Sequence, residues 1–165
     1  LIREFPPTGD VVLVCDSEPG ERLIVEGMVK AVNGEPIIGA LMYFYQTDAT
    51  GVYSSSGGNA TMGDSLNPRL FGYLKTDGEG KYRITPIRPG AYPNSGPPAH
   101  IHVEIEAVGF RSRTTEIMMG DCPRLTDEAR AWARNEGFPV AEIRRDEKRT
   151  LRGTADFRLG LSGGE

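Results

Sequence analysis

Glycine and proline recur along the whole chain, 21 and 12 times in 165 residues, and divide it into short apolar runs. Glycine supplies tight turns and proline removes a backbone donor, so this punctuation favours many short strands over long helices. The runs "VVLVCD" (11–16), "RLIVEGMVKA" (22–31), "IGALMYFYQT" (38–47), "HIHVEIEAV" (100–108), "RSRTTEIMM" (111–119) and "TLRGTADFRLG" (150–160) read as strands. The third reads as buried on both faces. "FGYLKTD" (71–77) and "KYRITPI" (81–87), joined by "GEG", read as a hairpin, and Asn33-Gly34 as a turn. Only "TDEARAWARNEG" (126–137) carries helix punctuation, with Thr/Asp at its start and Gly137 at its end. The expectation is a mainly β protein, an antiparallel β-sandwich with long active-site loops and one short helix, with residues 1–165 forming a single domain.

A net charge of −4 argues against a nucleic-acid surface, which needs clustered Lys and Arg. The densest basic stretch, "RRDEKR" (144–149), interleaves its own acids and reads as a solvated turn. No apolar run approaches the ~20 residues that cross a bilayer, so a soluble, cytoplasmic protein is expected, with secretion left open. Cys15 and Cys122 show no metal or redox spacing and read as buried free thiols, a disulfide between them remaining open.

The chain has two histidines, His100 and His102, in a run that alternates strictly. On a strand they share a face with Glu104 and Glu106, opposite Ile101, Val103 and Ile105. Two imidazoles about 7 Å apart along one face can converge on a metal. Glu104 leaves a His2Glu site open. Tyr43, Tyr45, Tyr73 and Tyr82 fall in strand patterns that packing explains. Tyr53 and Tyr92 fall instead in the irregular stretches 48–70 and 88–99, which are long for a compact domain. Phenolates select a hard, highly charged ion, and ferric iron suits two phenolates and two neutral imidazoles best.

At this point the residues resemble the intradiol ring-cleavage dioxygenases, the family of protocatechuate and catechol dioxygenases. The resemblance runs through "LIVEGMVKAVNGEPIIGALMYFYQTDATGVY", "FGYLKTDGEGKYRITPIRPGAYP", "PPAHIHVEIEAVGF" and "MMGD", roughly residues 20–121. It implies a β-sandwich and a non-haem Fe(III) held by Tyr53, Tyr92, His100 and His102, the same residues being catalytic. It further implies a catechol-type substrate and O2 as reactants, with bidentate substrate binding that displaces Tyr92 while Tyr53 stays. The implied product is a cis,cis-muconate. An oligomer is left open, and neither nucleic acid nor membrane is an expected partner.

This chain departs from the family pattern at two positions. Pro97 stands where well-studied members carry an Arg, and Thr115, with Glu116 beside it, where they carry a Gln. Losing a positioned cation removes about 3 kcal/mol of charge stabilisation, for which Arg69, Arg88, Arg111 and Arg113 are candidate replacements. Asn94 stands where protocatechuate enzymes often have Trp. The stretch from Gly27 to Tyr92 also resembles non-catalytic transthyretin-like or carboxypeptidase-regulatory modules, which leaves a binding or structural module, or a degenerate dioxygenase relative, as the alternative.

Overall fold

A computed structural model describes residues 5–54, 65–93 and 95–163. Two sheets face each other. The first runs β1 (Asp10–Val12), β5 (Lys81–Thr85), β2 (Leu23–Ala31), β10 (Leu151–Thr154), β9 (Arg144–Arg145), with β11 (Phe157–Leu159) also on β2. The second runs β4 (Leu70–Lys75), β3 (Leu41–Gln46), β6 (His100–Glu106), β7 (Arg113–Met119), β8 (Val140–Ala141). The expected β-sandwich is therefore present. Its long pairings are antiparallel, while β1, β8, β10 and β11 add in parallel.

Alternation along each strand decides what fills the space between the sheets. Val25, Met42, Phe44, Leu74, Ile84, Ile101, Val103, Ile105, Ile117 and Phe157 are buried there in one core. Burying each such side chain contributes about 1.5–3 kcal/mol. Tyr82 joins them fully buried and donates its hydroxyl to the Ala155 carbonyl at 2.6 Å. Burial pushes its phenol well up, so it stays protonated.

Four expectations need correction. β4 and β5 do not pair: Asp77 closes the tight turn by accepting from Glu79 and Lys81 N–H groups, but the strands then diverge into opposite sheets. Each has one apolar face, Leu70 and Leu74 on β4 and Tyr82 and Ile84 on β5, and both faces must reach the shared core. β3 is buried on one face only. Met42, Phe44 and Gln46 enter the core, while Leu41, Tyr43 and Tyr45 stand half-buried on the other side. The run 150–160 is two strands broken at Ala155 and Asp156, where Asp156 accepts from the Met28 N–H. Cys15 is exposed rather than buried, and both thiols are free.

The helix α1 (Asp127–Glu136) follows its punctuation: Thr126 accepts from the Ala129 N–H, and Gly137 takes the left-handed φ of 75° that ends the helix. Gly34 likewise turns with φ of 92°. Residues 144–149 form a mostly exposed strand end and turn, as expected. Gly27 marks the tightest packing of β2, because a Cβ there would meet the Ala155 carbonyl oxygen at 1.9 Å. Gly27→Ala should cost on the order of 2–3 kcal/mol, read as a lowered midpoint of chemical denaturation.

Candidate metal centre

β6 sends Ile101, Val103 and Ile105 into the core, so His100 and His102 must point to the outer face of the second sheet. Two irregular segments, 47–54 and 86–99, cover them there. These segments are locked to each other. Thr47 donates its hydroxyl to the Gly90 carbonyl at 2.8 Å, the Gly90 N–H donates to Asp48, and the Asp48 carboxylate accepts from Thr50 and Val52. Gly51 has φ of 88°, and a Cβ on Gly51 would lie 2.1 Å from the Ala91 carbonyl oxygen. A Cβ on Gly90 would lie 2.4 Å from the Gly51 nitrogen. Only glycines allow the backbones beneath Tyr53 and Tyr92 to come this close.

The four sequence-selected residues meet as a result. The Tyr53 hydroxyl lies 2.7 Å from the Tyr92 hydroxyl and 2.7 Å from His102 Nε2. Tyr92 Oη is 3.3 Å from His100 Nε2, and the two Nε2 atoms are 3.2 Å apart. The four heteroatoms thus form a closed circuit. Each ring is fixed from behind. His100 Nδ1 lies 2.7 Å from the Pro98 carbonyl oxygen, to which it donates, leaving the Nε2 lone pair aimed into the cluster. His102 stacks flat on Tyr45, with centroids 4.4 Å apart and planes within 6°.

Burial governs the charges. It pushes the Tyr53 phenol far up, helped by the bond to Tyr92, and pushes Tyr92 up as well. Desolvation, and then the charge of His100, lowers His102 to about 4. Left to itself the cluster sets two protonated phenols against a His102 that burial keeps neutral. A cation replacing the two phenolic protons would reverse that bias on the tyrosines and find the imidazole lone pairs ready. The donor set and its spacing therefore fit a hard, small metal ion.

The nearby acid is not the one expected. Register pairs His102 with Glu116 on β7, whose Oε1 is 3.8 Å from His102 Nδ1. His100, His102 and Glu116 offer ligand atoms within 4.8 Å of one another, whereas Glu104 lies a step further out beside Tyr43. Thr115 is also displaced from its expected role. It pairs with Val103 and is buried on the core side, so Glu116 holds the site-facing position.

Of the candidate arginines, Arg69 forks onto Glu18 at 2.6 and 2.7 Å, Arg88 is held by Glu21 and Asp121, and Arg113 donates to the carbonyls of Arg158 and Gly137. Arg111 follows the far end of β6. Asn94 and residues 55–64 lie outside the described residues. Tyr45 and Glu116 escaped sequence reasoning because each needs a cross-strand register. Their only sequence signal is period-two placement on the His face of a neighbouring strand.

A family model for dioxygenases, Dioxygenase_C, matches residues 7–160. This chain belongs to the intradiol dioxygenase family. It is 31% identical over 157 residues to catechol 1,2-dioxygenase 2 of Acinetobacter lwoffii, covering 84% of this chain and 54% of that protein. The protocatechuate 3,4-dioxygenase beta chain of Burkholderia cepacia is 37% identical over 114 residues, covering 64% of this chain and 47% of its own. The chain thus spans about half the length of these curated family members. Among solved structures, the dioxygenase domain of a dioxygenase carbohydrate-binding protein fusion from Streptomyces sp. SirexAA-E superposes with TM-score 0.69 at 27% identity, covering 94% and 90% of the two chains. Catechol 1,2-dioxygenase from Pseudomonas arvilla C-1 gives 0.73 at 28%, covering 97% of this chain and 59% of its own. Among the described residues, no helix is long and apolar enough to cross a membrane.

Two expectations follow from this geometry. Gly90→Ala should force the tyrosine segments apart and weaken binding of any metal ion at the cluster by at least about tenfold, with far-ultraviolet circular dichroism unchanged. His102 binds a proton less readily folded than unfolded, so the stability it confers is full above pH 6.5 and is lost as pH falls toward about 4. Denaturation midpoints of the metal-free protein should fall across that window, and His102→Asn should flatten the slope.

Proposed function

We propose that this chain is a non-haem iron(III) intradiol dioxygenase. It opens a catechol-type ring between the two hydroxyl-bearing carbons, with O2 as co-substrate, to a cis,cis-muconate-type product. The observation that carries the reading is the closed circuit of Tyr53, Tyr92, His100 and His102, in a chain whose family members cleave catechols. A non-catalytic sandwich has no reason to press two phenols and two imidazoles into one buried cluster. The proposal takes residues 1–165 as one domain, since both sheets fill one core.

Tyr53, Tyr92, His100 and His102 would hold the iron. Bound there, ferric iron supplies the Lewis acidity that chelates a catecholate and draws its ring electrons toward reaction with O2. The protein's own groups prepare that event. The Pro98 carbonyl accepts from His100 Nδ1, which turns Nε2 into the cluster, and burial keeps His102 neutral near neutral pH. Tyr45 holds the plane of His102.

The two phenols are not equivalent. Tyr53 is 1% exposed and tied at 2.7 Å to two partners. Tyr92 is half-buried, has a long 3.3 Å contact to His100, and stands in the proline-rich segment. Tyr92 is therefore the phenol that yields its place to the incoming substrate, its oxygen taking up a proton from a catechol hydroxyl. Tyr53 remains.

The test is the visible spectrum of the purified protein together with iron quantitation. A tyrosinate-to-Fe(III) absorption band that shifts on adding catechol is expected, followed by formation of a muconate. Tyr92→Phe should shift the band and lower turnover at least about tenfold while the fold persists. His100→Ala and His102→Ala should each lose iron. Full iron retention in both, or a colourless iron-loaded protein, would defeat the reading.

A further inference from the structure

The outer face of the second sheet carries two carboxylates beside the histidine cluster. Glu116 lies across from His102, and Glu104 follows two residues along β6, opposite Tyr43. Glu116 Oε2 is buried without a hydrogen-bond partner. Among the described residues, its ionisable contact is His102, which burial keeps neutral, and no lysine or arginine forms a salt bridge with it. Two of the candidate arginines are committed elsewhere, Arg69 to Glu18 and Asp48, Arg88 to Glu21 and Asp121. Pro97 has no charge to offer, and residues 55–64, "SSGGNATMGD", add no Lys or Arg. A half-buried carboxylate without a cationic partner repels a second anion approaching the cluster, and at this partial exposure dissolved salt still screens the repulsion.

Resting on the dioxygenase reading above, we propose that Glu116 is a specificity-determining residue. The site takes catechols whose ring substituents are neutral or cationic and turns away those that carry a carboxylate. Glu104, opposite Tyr43, extends the same preference outward.

The experiment compares three ligands on the iron-loaded full chain: catechol, 4-(2-aminoethyl)catechol and 3,4-dihydroxybenzoate. Dissociation constants come from the visible band and calorimetry, and kcat/KM from product formation. Both readouts should favour the first two over the carboxylated ligand by at least about tenfold at low ionic strength. The ratio should shrink as salt rises from about 0.02 to 0.5 M. Glu116→Gln should narrow it severalfold, and Glu104→Gln less, with iron content measured alongside.

Equal or tighter binding of 3,4-dihydroxybenzoate overturns the proposal, and so does a ratio unmoved by Glu116→Gln at full iron content. Should that variant lose iron or fold poorly, the salt series on the natural chain decides alone, and a flat ratio overturns the proposal. A preference for the carboxylated ligand that disappears in Arg124→Met would assign charge selection to Arg124, whose buried Nη1 has no partner, and also overturns it. If none of the three ligands binds, the dioxygenase reading itself falls, and the selectivity proposal with it.

Discussion

The alternation of β6 is the constraint on which the rest of the molecule depends. Ile101, Val103 and Ile105 are fully buried between the sheets, and a one-residue slip would exchange them for two imidazoles and a carboxylate. The core thus fixes the register of the strand at a cost no local rearrangement could match. The same register sends His100 and His102 outward as a rigid pair, on a strand held by β3 on one side and β7 on the other. Side chains on a central strand are positioned by the whole sandwich.

The loops then bring the phenols to that pair. Tyr53 and Tyr92 are 39 residues apart, and neither lies on a strand. Their meeting rests on Gly51 and Gly90, which let the two backbones touch, and on Asp48 and Thr47, which satisfy the polar groups exposed by the contact. The cluster is electrostatically unbalanced by design of its surroundings: burial raises both phenols and lowers His102. A cation there would reverse the bias on the two phenols and meet a His102 lone pair already free of its proton.

The acids around it complete the picture. Pro97 precedes the histidine strand, and Glu116 stands across from His102 by register. The outer sheet face becomes an aromatic and acidic surface, with Tyr45, Tyr43 and Tyr73 on one side of the histidines and Glu116 and Glu104 near them.

The sequence by itself determined the strands, the helix with its Thr126 and Gly137 ends, the sandwich class, and the four residues Tyr53, Tyr92, His100 and His102 as a candidate set. The strands, the helix and the sandwich class follow from local periodicity and turn chemistry written along the chain, and the four-residue set from the motifs that resemble those of the family. Only the tertiary structure decided that β4 and β5 part company, that Tyr45 rather than a core packing partner backs His102, and that Glu116 displaces both Glu104 and Thr115 from the site. Each of these depends on which strand lies beside which and in what register. A turn such as "GEG" looks the same whether its strands pair or separate, and the β6–β7 connection does not announce how many residues it spends before pairing resumes at Arg113. Side chains brought together across strands are settled by filling one shared core, a condition on the whole chain that no short stretch of it contains.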